Sequence, residues 1–290
     1  MIDQAQALRH LVHSKDLLSA KTTKVVTVTS GKGGVGKSNF SLNFGMALQN
    51  RGYSVLLFDA DISFANIDVL MGTPAKYNLI HLLKGEKSIW EIIQIGPSGL
   101  QFIAGGSGFQ DLVRLREQEL EYFAEQIGKL HGHVDFILFD TGAGLSKETT
   151  KFITAAEETI VVTTPEPTSI TDAYALIKMM HSMGHQVPFR LVVNRVADDR
   201  EGAQTADNIR QVASKYIGID IPVLGFIPDD VSVSKAVRRQ TPLSVAFPNS
   251  EAMQGIDRIA SRFLMEERSQ AQKTTRGLSG FMQRMKKLWS

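Results

Sequence analysis

The residues best suited to chemistry lie in one octapeptide, Gly31-Lys32-Gly33-Gly34-Val35-Gly36-Lys37-Ser38. Glycines at this density let the chain bend tightly and turn its N–H groups onto phosphate oxygens. Lys37 has the reach for β- and γ-phosphates, and the Ser38 hydroxyl can ligate Mg²⁺. Gly33, Gly34, Val35, Gly36 and Asn39 complete the cradle. Three further stretches place polar groups at the ends of apolar runs. Asp140 closes Phe136-Ile137-Leu138-Phe139. Its carboxylate can hold Mg²⁺ directly or through water, or it caps the next helix. Asp59 and Asp61 form a D-x-D pair behind Val55-Leu56-Leu57-Phe58. One such carboxylate can organise the metal's waters while the other orients an attacking water. The alternative is two loop acids capping a helix near Asn66. Asn194 closes Leu191-Val192-Val193. Its amide can donate to and accept from an adenine edge. The run Asn194-Arg195-Val196-Ala197 lacks the fourth-place Asp of a guanine-reading N-K-x-D.

These groups need a scaffold that delivers strand ends to one edge. A β-branched run at 25–29 precedes the glycine loop, and residues 39–49 are apolar at helical spacing. Strand, glycine loop and helix in that order are the context a phosphate loop requires, and the helix N-terminus adds partial positive charge. Further apolar runs at 55–58, 100–104, 136–139, 159–163, 191–193 and 223–226 alternate with helical patterns near 112–130, 169–183, 202–216 and 250–266. Uninterrupted apolar runs are what parallel strands covered on both faces look like. The pattern predicts an α/β fold, a doubly wound, mostly parallel sheet with helices on both faces and right-handed crossovers. Residues 73–99, punctuated by Pro74, Gly85, Gly96 and Pro97, read as irregular.

Composition narrows the class. The 290 residues contain no cysteine, which excludes disulfides, Cys-ligated clusters and Cys-zinc sites. No apolar run approaches the ~20 residues of a spanning helix, and the N-terminus does not read as a signal peptide. Cytoplasmic residence is expected. The net charge of +2 hides an asymmetry. Residues 268–290 hold six Arg or Lys and no acid, which leaves about −4 for the rest. That balance argues against a general nucleic-acid surface on the body, and no sequence-specific nucleic acid is expected as a partner.

The form K-G-G-V-G-K-S, with its additional Lys32, resembles the deviant phosphate loop of the MinD/ParA family. The resemblance implies an ATP-hydrolysing homodimer in which Lys32 crosses to the partner's nucleotide. It implies that Asp61 holds the attacking water, with Asp59 and Asp140 beside Mg²⁺. Asn194 and a loop such as Pro228-Asp229-Asp230 would hold adenine. Glu166, in Thr164-Pro165-Glu166-Pro167, matches a position that contacts nucleotide or partner across such a dimer; a plain turn acid is the other reading.

The two ends refine the resemblance. The head, Asp3-Gln4-Ala5-Gln6-Ala7-Leu8-Arg9, matches D-Q-A-x-x-L-R and resembles the activator segment of FlhG (FleN, YlxH), the MinD-like ATPases that control flagellar number and placement. There the segment stimulates the signal-recognition-type GTPase FlhF, and Gln4 and Arg9 are the residues that would act on it. Flagellar basal-body (C-ring) proteins are further expected partners. In the tail, apolar residues recur at 278, 281, 282, 285, 288 and 289 with Arg284, Lys286 and Lys287 beside them. Phe281, Met282, Met285, Leu288 and Trp289 are expected to lie on an anionic membrane at the inner face of the cell membrane. The alternative is a terminal helix docked on its own body. The expected organisation is a head at 1–23, an ATPase body at 24–266, a linker at 267–277 and the tail at 278–290. A division-site or DNA-segregation positioning ATPase remains the other functional reading, and a metabolic phosphate-loop enzyme would need a substrate constellation the sequence lacks.

Overall fold

A computed structural model describes residues 22–61, 66–105, 117–184, 188–270 and 277–289. The elements in order are β1 (Lys24–Thr29), α1 (Lys37–Gln49), β2 (Val55–Ala60), α2 (Ile67–Met71), α3 (Leu79–Leu83), α4 (Ile89–Ile92), β3 (Gln94–Ile95), β4 (Gln101–Ile103) and α5 (Glu117–Gly128). They continue with β5 (Phe136–Thr141), α6 (Lys147–Ala155), β6 (Glu158–Thr163), α7 (Pro167–Ser182), β7 (Phe189–Val196) and α8 (Asp199–Ile217). The chain closes with β8 (Val223–Pro228), α9 (Val231–Arg238), α10 (Leu243–Ala246), α11 (Glu251–Gln270) and α12 (Gly277–Trp289).

Eight strands form one sheet in the order β3-β4-β2-β5-β1-β6-β7-β8. All pairs are parallel except β3 with β4. β1 lies inside the sheet between β5 and β6, and every residue of β2, β5 and β6 is buried. Successive side chains of a strand face opposite sides, so the apolar runs feed two layers. Val26, Leu57, Leu138 and Val192 join Phe44 of α1 and Phe263 of α11 on one face. Leu56, Phe58, Ile137 and Phe139 join α5, α6 and α12 on the other. The region read as irregular contains α3 and α4, each opened by a capping box at Asn78 and Ser88. At the N-terminal ends of the strands, Lys24 pairs with Glu158 and Glu267, and Arg190 with Glu158 and Glu266. Buried ions need such partners, and the network ties the end of α11 to the sheet. Helix α11 therefore runs to Gln270, through the first residues of the expected linker.

The tail is docked on the body in this state, the alternative the sequence left open. Its apolar stripe is not presented to solvent. Helix α12 lies in the layer with α5 and α6, with Leu278, Phe281, Met282 and Met285 buried and Leu288 half-buried; Trp289 is its last residue. The Phe281 ring stacks on Phe139 at 5.2 Å between centroids, and Phe139 meets Phe152 at 5.0 Å. The Arg284 Nε and Nη2 atoms donate to the Ala155 carbonyl at 2.9 and 2.7 Å. Full burial of a side chain such as Phe281 stabilises by about 1.5–3 kcal/mol, so the docked reading of this stripe holds in this state. Among the described residues no helix is long and apolar enough to cross a membrane.

Candidate nucleotide site

The site sits at the C-terminal edge of the parallel strands, where open α/β sheets place their ligands. The glycine loop joins β1 to α1 and opens onto a cleft of about 940 Å³. Gly33, Gly34, Gly36, Lys37, Ser38 and Asn39 line one wall. Asp61 and Asn66 also line the cleft. Gly142 and Ala143, in the loop after β5, line it with Ser146 and Thr149. Gly36 has φ 90°, and a Cβ there would lie 2.4 Å from the Asn194 Nδ2 atom. Gly31 is needed for a different reason: a Cβ would lie 2.2 Å from the Asp172 backbone, so only glycine lets the start of the loop pass this close to α7.

Lys37 is 6% exposed and its Nζ sits 2.9 Å from Asp140 Oδ1 and 3.2 Å from Ser38 Oγ. Ser41 Oγ donates to the same Asp140 oxygen at 2.6 Å. The other oxygen, Asp140 Oδ2, is buried with no hydrogen-bond partner. An orphaned carboxylate oxygen beside a lysine, a serine hydroxyl and a phosphate cradle fits a hard cation that keeps some of its waters. Ser38 and Asp140 are the residues that would hold it.

Asp59 does not fit as a metal ligand. Its Oδ2 accepts from the N–H groups of Asn66 (2.9 Å) and Ile67 (3.2 Å), and its Oδ1 from the Asp61 N–H (3.2 Å). It caps α2 and shapes the loop that carries Asp61. The register of β2 against β5 sets Asp59 beside Asp140. Burial, reinforced by the Asp140 charge, pushes the Asp59 carboxyl up to about 7. Asp61 lines the cleft next to Gly142, whose Cβ position is 3.4 Å from Asp61 Oδ1.

The expected base-binding residues stand at the ends of β7 and β8. Asn194 Nδ2 donates to the Val35 carbonyl at 2.7 Å, so the amide props the glycine loop. Val35 is buried behind the loop. Pro228 ends β8 beside Val196, and the Asp229 N–H donates to the Val196 carbonyl at 2.9 Å while its side chain is exposed. Asp230 caps α9 by accepting from Ser232 N at 2.7 Å. Lys32 stands on the rim, 40% exposed, with its Nζ 3.1 Å from Glu166 Oε2 and 2.9 Å from Thr168 Oγ1. Glu166 is thus the partner of Lys32 within one chain. Gln4 and Arg9 lie outside the described residues.

Sequence reasoning missed Ser41, one turn beyond Lys37, and the apolar rim of Val69, Leu70 and Val237. Ser41 was discoverable, because a polar residue four positions after the loop lysine shares its helix face. No sequence signal marks the valines, since apolar residues at helical spacing read as core.

Comparison with known proteins agrees with this geometry. The model of the CobQ/CobB/MinD/ParA nucleotide-binding domain matches residues 26–243. The antiactivator FleN of Pseudomonas aeruginosa is 34% identical over 248 residues, covering 86% of this chain and 89% of that protein. The flagellum site-determining protein YlxH of Helicobacter pylori is 38% identical over 294 residues, covering 99% of each. Among solved structures, the septum site-determining protein MinD of Pyrococcus horikoshii, complexed with Mg-ADP, superposes with a TM-score of 0.68 at 25% identity, covering 83% of this chain and 96% of that one. The chain belongs to the MinD/ParA family of nucleotide-binding ATPases, in its FlhG (FleN/YlxH) branch.

Proposed function

We propose that this chain is an ATP-driven switch that regulates flagellar number and placement by dimerising on ATP, moving to the membrane and acting on a partner GTPase. The observation that carries the reading is the position of Lys32. It stands on the rim of the cleft, turned to Glu166 and Thr168 and away from its own phosphate cradle. Lys37 already serves that cradle, so Lys32 is available to a nucleotide held by a second copy. An exposed ion pair is weak, worth about 0.2–1 kcal/mol, and a second copy's phosphates would draw Lys32 away from it.

In this reading Gly33, Gly34, Gly36 and Asn39 cradle the phosphates, and Lys37 leaves Asp140 for the β- and γ-phosphates. Mg²⁺, held by Ser38 and Asp140, would supply charge neutralisation on the same oxygens. Asp61 accepts a hydrogen bond from the attacking water and orients it. Asn194 keeps the loop in shape, and the ends of β7 and β8, with Pro228 and Asp229, flank the base. The relatives named FleN and YlxH direct the output to flagella. Light scattering tests the switch: Asp61→Ala with ATP should accumulate as a dimer without hydrolysis, and Lys32→Ala with ATP should stay monomeric. A monomeric Asp61→Ala carrying bound ATP would contradict it.

Helix α12 would leave the body on dimerisation and lie on an anionic membrane at the inner face of the cell. Two weak anchors on one dimer bind far better than one. The head would stimulate FlhF through Gln4, whose amide can donate to a phosphate oxygen and accept from an attacking water, with Arg9 meeting phosphate or an acidic surface. C-ring proteins are the assembly on which such a switch would act. A peptide of residues 1–20 should raise GTP hydrolysis by FlhF, and Gln4→Ala should remove most of the gain; no effect of the wild-type peptide would remove the head from this account.

A further inference from the structure

One short helix, α6, reaches from the nucleotide cleft to the tail. At its N-terminal end, α6 supplies Ser146 and Thr149 to the cleft, and the Ser146 hydroxyl caps it by accepting from Thr149 N at 3.1 Å. The loop leading into it is tied to the phosphate loop by the Gly144 N–H, which donates to the Ser30 carbonyl at 2.8 Å. At its other end lies Ala155, whose carbonyl accepts two hydrogen bonds from Arg284 of α12. Nine residues separate the two ends, about 13 Å at helical rise. The last carbonyls of a helix have no partner within it and carry partial negative charge, so a guanidinium is well matched to that position. We propose that Arg284 is the latch through which the tail and the nucleotide cleft sense one another, with α6 as the connecting rod.

The packing limits how α6 can respond. The Thr27 hydroxyl donates to the Phe152 carbonyl at 3.2 Å, and Phe152 lies against Phe139, the residue before Asp140 and the one on which Phe281 stacks. Densely packed side chains move between discrete arrangements rather than deform smoothly. A nucleotide that repositions the Gly142–Gly144 loop shifts α6 as a unit and carries the Ala155 carbonyl away from Arg284. Two donors on one oxygen tolerate little displacement. Linkage is reciprocal: if nucleotide opens the latch, an opened latch tightens nucleotide binding by the same factor. The inference rests on the proposal that this cleft takes ATP and that the tail can leave the body.

The test uses the full chain without lipid. Amide exchange of residues 278–288 reports the latch, and affinity for a fluorescent, non-hydrolysable ATP analogue with Mg²⁺ reports the cleft. In Arg284→Ala, tail exchange should rise about five- to tenfold and the analogue should bind tighter by a similar factor. Arg284→Lys, which keeps one donor for the Ala155 carbonyl, should fall between the wild type and Ala in both readings. Faster tail exchange with unchanged affinity overturns the relay through α6. Unchanged tail exchange in Arg284→Ala overturns the latch. An analogue that fails to bind the wild type would overturn the nucleotide reading itself, a result distinct from either of those.

Discussion

Two neighbouring residues of β5 serve opposite environments. Asp140 lies behind the cleft, paired with Lys37, and has one buried carboxylate oxygen without a partner. Phe139 faces a dry slot closed by Phe58, Phe152 and Phe281. The cleft side leaves a buried carboxylate oxygen unsatisfied. The slot is filled, and what fills it is the tail. The same strand therefore touches both regions, which is what the proposed exchange of one occupant for the other requires. Buried polar groups left without partners are costly, so the cleft gains most from a ligand. The slot loses most when its helix departs.

Breaking the cleft should produce the largest effect. Lys37→Ala removes the phosphate contact and is expected to cut hydrolysis by at least 10²–10³-fold. It also strands Asp140, which is 1% exposed, at a cost of about 3–5 kcal/mol in the nucleotide-free protein; steady-state phosphate release and a urea titration measure the two losses. Breaking the slot comes next. Phe281→Ala should lower stability by about 3–5 kcal/mol while the cleft residues remain in place, read as a lower urea midpoint.

The pH dependence sharpens the contrast between the two regions, because the cleft side holds a deeply buried carboxyl with a strongly raised pKa. The Asp59 carboxyl is raised to about 7 from an ordinary 3.8. A carboxyl raised on folding supports the fold in its protonated form. Its contribution is complete below about pH 4 and is lost as the pH climbs through about 7. The nucleotide-free protein should therefore melt at a higher temperature at pH 5.5 than at pH 8, and Asp59→Asn should flatten that difference. The smallest effect is expected on the rim. Lys32→Ala should change monomer stability by no more than about 1 kcal/mol, because the Lys32–Glu166 pair is exposed, although dimer formation with ATP is lost.

The two regions were also unequally legible. The positions of the phosphate loop, Asp61 and Asp140 after strands of one sheet were legible, because glycine spacing and carboxylates closing apolar runs are local signals, and the alternating apolar runs fix the sheet that presents them. Asp59 and Asn194 could not be resolved, since an acid that caps a helix and an acid that holds a metal differ by a few ångströms and not by residue type. The Lys32–Glu166 pairing joins residues 134 positions apart, and nothing local announces it. Strand β3, two residues long, is too short to show a period. The tail was ambiguous for a deeper reason. A stripe at i, i+3, i+4 and i+7 states that one face must leave water, and both a bilayer and the gap between α5 and α6 satisfy that demand. Arg284 carries the extra information, but its partner is a backbone carbonyl, which has no signature in the sequence.

The central claim is that filling the cleft empties the slot. Co-sedimentation of full-length Asp61→Ala with anionic phospholipid vesicles, with and without MgATP, tests it most directly. The account predicts binding with MgATP, little without it, and loss of the bound fraction when Phe281 is changed to Glu. Equal vesicle binding in both conditions, in a protein that dimerises on ATP, would contradict it.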